Sequence, residues 1–216
     1  MNTGVTFIVG DKIFHTFYEF GYKQLAEVNN TLPTAKRHLI TDIMGMDSVL
    51  DYTEQFGPVR FNNRSLEVKF EGQDMNFTEW AEVVSRTADA LHERYAKVIL
   101  DTDPDYYYYG LCRVTAKKDA LAFSEMSVVI DAFPWKRRID KYVMNLSAGT
   151  HEVINDRMPA SPEVTVSGYM NIEYDGKIYE FKAGTTKADF EFMEGINQIR
   201  ITGSGTMKLE WEGGRL

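Results

Sequence analysis

A single amphipathic helix, set in a chain that otherwise reads as strand and turn, constrains the fold more than any other feature. Between Phe77 and Ala96 the apolar residues Trp80, Val83, Val84, Ala88, Leu91 and Tyr95 recur at spacings of three and four, which lines them along one helical face. Asn76 precedes the run and Glu79 follows three residues later, the pairing of a capping box. Glu82, Arg86, Asp89 and Glu93 occupy the opposite face. The spacing predicts a helix over 77–96. Such a helix is unstable alone in water and must lie against a sheet, where burying Trp80, Val84 and Leu91 contributes roughly 1.5–3 kcal/mol each.

The sheet is written in the rest of the chain. Gly4 to Val9 and Ile13 to Phe20 are β-rich and broken at Gly10-Asp11. Arg64 to Phe70 alternates, with Leu66, Val68 and Phe70 on one side and Glu67 and Lys69 on the other. Lys97 to Leu100, Tyr106 to Thr115 and Leu121 to Ala132 continue the pattern. Further on, Glu163 to Ser167 reads as a strand, and Met170 to Tyr174 and Lys177 to Phe181 flank Asp175-Gly176, a pair suited to a type I′ turn. Asn197 to Thr202 and Thr206 to Trp211 flank Gly203-Ser204-Gly205 and predict a second hairpin. Ser147 to Pro162, with Gly149, Asn155, Pro159 and Pro162, predicts a loop leading into the second sheet. The domain seam is expected near Phe133-Pro134, giving an N-terminal domain over 1–132 and a C-terminal domain over 133–216. At 216 residues the chain is long enough for two such units.

Chemistry is hard to find. His92-Glu93 and His151-Glu152 begin like a zinc-protease helix, but the second histidine is replaced by Ala96 and Asn155. Asp101, Asp103 and Asp105 open like a calcium loop, yet Tyr106 stands where the turn glycine belongs and Cys112 where the closing glutamate belongs. The simpler reading is a polar turn. Gly203-Ser204-Gly205-Thr206 lacks the lysine of a phosphate loop and any following helix. No nucleophile elbow is present. The sequence therefore nominates no catalytic residue, no cofactor-binding residue and no metal ligand, and the chain is expected not to be an enzyme.

Two clusters invite a binding role. Tyr106 to Tyr109 offer rings that stack on sugars, although alternate strand residues face opposite sides, so only two serve one surface. Trp135-Lys136-Arg137-Arg138 is either a small anion patch or a domain junction or subunit contact. The net charge of -8 gives no general attraction to nucleic acid or anionic lipid. The lone Cys112 permits no internal disulfide and suits a reducing cytoplasm. Met1 to Gly10 has no basic segment leading into an apolar run, so no signal peptide is expected, and no stretch suggests a membrane span.

The order of features is the most specific signal. Asp51-Tyr52-Thr53-Glu54-Gln55-Phe56-Gly57 leads to Asn63-Arg64 and the strand Ser65 to Phe70, then the Trp80 helix. Lys97-Val98-Ile99-Leu100-Asp101, Tyr106 to Gly110, and Ile130-Asp131-Ala132-Phe133-Pro134-Trp135 follow. The chain closes with Ser161-Pro162-Glu163-Val164, the Asp175-Gly176 turn, Glu194-Gly195-Ile196-Asn197, Gly203-Ser204-Gly205 and Trp211. This succession resembles the distal tail proteins of long-tailed phages (siphophages), the Dit family, over nearly the whole chain.

The resemblance implies a mostly β fold with one main helix: an N-terminal β-sandwich with helix and hairpin arm, and a C-terminal galectin-like β-sandwich. It implies a virion structural protein of the tail tip or baseplate, assembled in the host cytoplasm and part of the host adhesion device. Six copies would form a homohexameric ring joining the tail tube protein to the tail-tip hub or tail-associated lysin, with a receptor-binding protein as a further partner. DNA would pass through the bore without specific binding, which suits an acidic chain, and no membrane or cofactor is involved. The segment from about Pro33 to Gln55 is the expected arm. Some relatives carry large carbohydrate-binding insertions, and no segment here looks like one. The alternative function is a carbohydrate-binding module recognising host cell-wall glycan; a glycoside hydrolase has no motif behind it.

Overall fold

The structure is a computed structural model that describes residues 4–22, 24–36, 40–41, 44–45, 47, 50–51, 59–72, 75–119 and 123–216. The chain divides into two compact units. The first comprises Met1–Pro104 and Tyr108–Pro134, the second Asp105–Tyr107 and Trp135–Leu216. The described residues are mostly β, with one helix and antiparallel pairing throughout, as the sequence patterns require.

The first unit contains β1 (Val5–Val9), β2 (Lys12–His15), β3 (Gln24–Asn30), β4 (Ile40–Thr41), β5 (Leu50–Asp51), β6 (Arg64–Glu71), α1 (Phe77–Leu91) and β7 (Arg94–Leu100). It also holds most of β8 (Tyr106–Asp119) and all of β9 (Phe123–Ala132). Its sheet runs β2-β1-β7-β8-β9-β6-β3. Alternate residues of these strands, among them Phe7, Leu66, Val68, Val98, Met126 and Ile130, are fully buried. They form one core with Trp80, Val83 and Leu91 of α1. Within the expected arm, β4 and β5 pair antiparallel, Ile40 opposite Asp51 and Thr41 opposite Leu50. Much of the rest of that segment lies outside the described residues.

The helix begins as expected. Asn76 accepts from the Thr78 and Glu79 amides at 2.9 Å, and the Glu79 carboxylate accepts from the Asn76 amide at 3.0 Å. Its end differs: α1 stops at Leu91, not at 96. Glu93 adopts φ 53, and its amide donates to the Cys112 carbonyl at 2.8 Å. From Arg94 the chain is zipped onto β8, Tyr95 opposite Leu111 and Ala96 opposite Gly110. Helical spacing continues to Tyr95, which is half exposed, whereas strand alternation buries Ala96 with Val98 and Leu100; the ladder with β8 decides between them.

The second unit contains β10 (Lys136–Arg138), β11 (Tyr142–Leu146), β12 (Gly149–Asn155), β13 (Glu163–Val166), β14 (Tyr169–Tyr174), β15 (Lys177–Phe181), β16 (Gly184–Lys187), β17 (Gly195–Ser204), β18 (Met207–Trp211) and β19 (Gly214–Arg215). Two four-stranded sheets, ordered β11-β18-β13-β16 and β12-β17-β14-β15, enclose a core of Val153, Val164, Ile172, Ile199, Leu209 and Trp211. This is a β-sandwich. Asp175 and Gly176 have φ 50 and 70, so the β14–β15 turn has the positive φ pair its sequence demands.

Two expectations fail here. The loop expected over 147–162 contains β12, which pairs with β17 along its whole length. Gly149 and Asn155 mark its ends; they do not interrupt it. The second hairpin is not a hairpin: β17 pairs with β12 and β14, whereas β18 pairs with β11 and β13 in the other sheet. Gly203-Ser204-Gly205 carries the chain across the sandwich. Ile199 and Ile201 point into the core from one side and Met207, Leu209 and Trp211 from the other.

Candidate interaction surfaces

The expected polar turn is found at Asp101–Asp105, between β7 and β8. Asp101 Oδ2 accepts from the Gly4 amide at 2.7 Å and lies 3.4 Å from His15 Nε2. His92 is the helix C-cap, and its Nδ1 accepts from the Val114 amide at 3.1 Å. His151 Nε2 contacts the Ser147 carbonyl at 2.8 Å. Among the described residues, no group of three or more His, Cys, Asp or Glu side chains is arranged to hold a metal ion. Cys112 is fully buried, and desolvation pushes its thiol up to about 12, far from a reactive thiolate.

The tyrosine run separates into four different environments. In the second unit, the Tyr106 ring has Lys136 Nζ at 4.7 Å and the Arg215 guanidinium at 5.9 Å. Tyr107 is buried and donates to Glu212 at 3.4 Å; burial, reinforced by that carboxylate, raises its hydroxyl. In the first unit, Tyr108 is buried, accepts from Asn30 Nδ2 at 3.1 Å and carries the Arg64 guanidinium 5.2 Å from its ring centre. Tyr109 alone of the four lies among half-exposed aromatics, stacked on Tyr95 and tilted against Phe133, each at 5.6 Å. The rings thus do not combine into one sugar-stacking platform.

The basic cluster is similarly occupied. Lys136–Arg138 forms β10, paired with β19 on one side and with Tyr106 and Tyr107 on the other. Arg137 pairs with Glu212 at 3.2 Å. Arg138 lies 4.8 Å from the Tyr142 ring and donates to its hydroxyl at 3.0 Å. These cations lock a small ribbon together, in keeping with the junction that the sequence favoured over an anion patch.

Exposed apolar residues lie both outside the strands, as at Tyr18, Leu32 and Phe77, and on sheet faces. In the first unit, the residues of β1, β7 and β8 that alternate with the core form a second face. Ile13 lies opposite Ile8, Ile8 opposite Lys97, and Lys97 opposite Tyr109, while the Phe133 amide donates to the Tyr109 carbonyl at 2.9 Å. Apart from Lys97 this row is apolar; elsewhere in the unit ion pairs join Lys69 to Glu27 at 3.0 Å and Arg113 to Glu93 at 3.1 Å. In the second unit, Ile154 and Ile196 are directly paired across β12 and β17, and both are about two-thirds exposed (67% and 65%). Apolar pairs on a solvent face are a mark of docking surface more than of catalysis.

No protein-family model matches the chain, and no curated protein matches its sequence. Solved structures do match. The crystal structure of the Dit protein of SPP1, described as a paradigm of the hub adsorption apparatus in phages infecting Gram-positive hosts, superposes with a TM-score of 0.73. The match covers 98% of this chain and 99% of that one, at 14% identity. The likeness to Dit read from the order of sequence features is thereby borne out at the level of the fold, across both units.

Proposed function

We propose that this chain, having the fold of a Dit protein from end to end, is a non-enzymatic structural subunit of a phage tail adsorption apparatus. The observation that carries the reading is the full-length superposition, which leaves almost no part of either chain unmatched. The surfaces agree with it, since the exposed features include apolar sheet faces and the ionisable residues of the tyrosine and basic clusters serve packing. On this reading the first unit, with its helix and arm, builds a ring of six copies that continues the tail tube. The second unit is a galectin-like sandwich. The ring joins tube to hub at the tail tip, offers sites to a receptor-binding protein, and lets DNA through. A net charge of -8 suits a passage that must not hold phosphate.

Native mass spectrometry and negative-stain images of the purified chain test this directly, with six-copy rings expected. A gold label on the chain should appear at the tail tip of intact particles. A chain that stays monomeric and is missing from the particle would overturn the reading. A glycan array and a turnover assay on host-wall polysaccharide are both expected to remain blank.

A further inference from the structure

Every sheet in the described residues ends in edge strands, and most of these are short, bulged or carry a lysine, which discourages pairing with another chain. Strand β2 is four residues long and includes Lys12. Strand β3 is interrupted by a bulge between Leu25 and Glu27. Strands β15 and β16 carry Lys177 and Lys187, and β11 is five residues long, with Lys141 just before it.

Among these edges, strand β12 is the longest without a break in register. It runs seven residues, Gly149–Asn155, in unbroken register with β17, its single ladder partner, and contains neither lysine nor proline. Its outward side chains, Thr150, Glu152 and Ile154, are exposed. Ile154 already pairs with exposed Ile196 on β17, so one more strand would extend that apolar row.

We propose that β12 is a β-augmentation site that accepts an extended strand from a different polypeptide, with an apolar residue opposite Ile154 and a basic residue opposite Glu152. Main-chain hydrogen bonds supply the attraction, and these two side chains supply the selectivity. A second copy of this chain fits poorly. Antiparallel self-pairing over all of β12 centres on Glu152 and sets two carboxylates directly opposite, which is destabilising. A slip of one residue turns the buried face outward, and a slip of two shortens the ladder at both ends. The inference is independent of the tail reading, because it concerns one edge of the second unit and is tested on the purified chain.

The test uses the full-length chain and two synthetic seven-residue peptides designed for antiparallel pairing with β12. Both carry valine opposite Ile154; one carries lysine opposite Glu152 and the other glutamate. Amide hydrogen exchange should slow at β12 with the lysine peptide, which should bind at least tenfold more tightly than the glutamate peptide. Ile154→Lys, at an exposed position, should abolish the effect while leaving the thermal transition unchanged. The idea is overturned if neither peptide slows exchange at β12, if both bind equally, if protection appears at another edge, or if the chain alone self-associates through β12.

Discussion

At the scale of single residues, Arg64 shows how a buried cation is held by neutral partners. Arg64 is 2% exposed, and its Nε makes no hydrogen bond among the described residues. Its guanidinium donates to Asn30 Oδ1 at 2.6 Å and to the Pro134 carbonyl at 3.3 Å, and it lies over Tyr108. Desolvation lowers its pKa. Alternation with Leu66, Val68 and Phe70 already put this residue on the core side of β6, so its burial was legible, whereas its partners, distant in sequence, were not. Arg64→Ala should destabilise the chain by about 2–4 kcal/mol in urea unfolding, combining a cavity with orphaned acceptors. Arg64→Met should recover the packing share; a methionine variant as unstable as the alanine variant would show that the polar contacts dominate.

Cys112 and Tyr22 make a pH prediction. Burial raises both, from ordinary values of 9.0 and 10.0 to about 12. Both are acids that hold their protons longer in the folded chain than in the unfolded one. The stability they contribute is therefore complete below about pH 9 and is lost as pH rises towards 12. The urea midpoint should fall across that window, and Cys112→Val should flatten part of the decline. Ellman's reagent should leave native Cys112 unlabelled at pH 8 and label it fully on unfolding; fast labelling of the native chain would contradict its burial.

At the scale of elements, local signals were read correctly where one short segment determines the geometry. The capping box at Asn76 and the turn at Asp175-Gly176 are of this kind. Asn76→Ala should cost about 1 kcal/mol through loss of the cap. Gly176→Ala should cost about 1–2 kcal/mol from the left-handed backbone alone, since a Cβ there meets nothing within 4 Å. Gly203→Ala should cost more, because at φ 110 its Cβ would also lie 2.4 Å from the Tyr169 carbonyl oxygen. Circular dichroism melts of the three variants check the ranking.

Where geometry depends on distant pairing, the sequence was ambiguous. Alternating strands joined by Gly203-Ser204-Gly205 look the same whether they pair with each other or face each other across a core. The difference lies in the partners β12 and β11, and β12 was itself obscured by the glycine and asparagine at its ends. The helix expectation ran on to Ala96 for the related reason that Tyr95 continues the helical spacing just where Ala96 begins the strand alternation.

At the scale of the whole molecule, the succession of elements carried more information than any motif: the fold it suggested matches a solved structure at only 14% identity. No site was legible because the sequence nominated none. The surfaces now visible were hidden for a physical reason, since an exposed apolar residue on a strand reads the same as a buried one until its face is known. Deleting 42–49, between β4 and β5, should leave the chain folded and release monomers from the proposed ring, measured by native mass. Rings that persist would remove the arm from the assembly.

Strand β8 belongs to both units, Tyr106 and Tyr107 (with the preceding Asp105) to one and Tyr108 onward to the other. An expression fragment starting at Trp135 would therefore lack the strand that pairs with Arg137 and Arg138, the aromatic ring beneath Lys136 and the hydroxyl bound to Glu212. Transplanting this module into another chain at that joint would carry the same defect, so a viable swap has to bring three residues from far upstream with it.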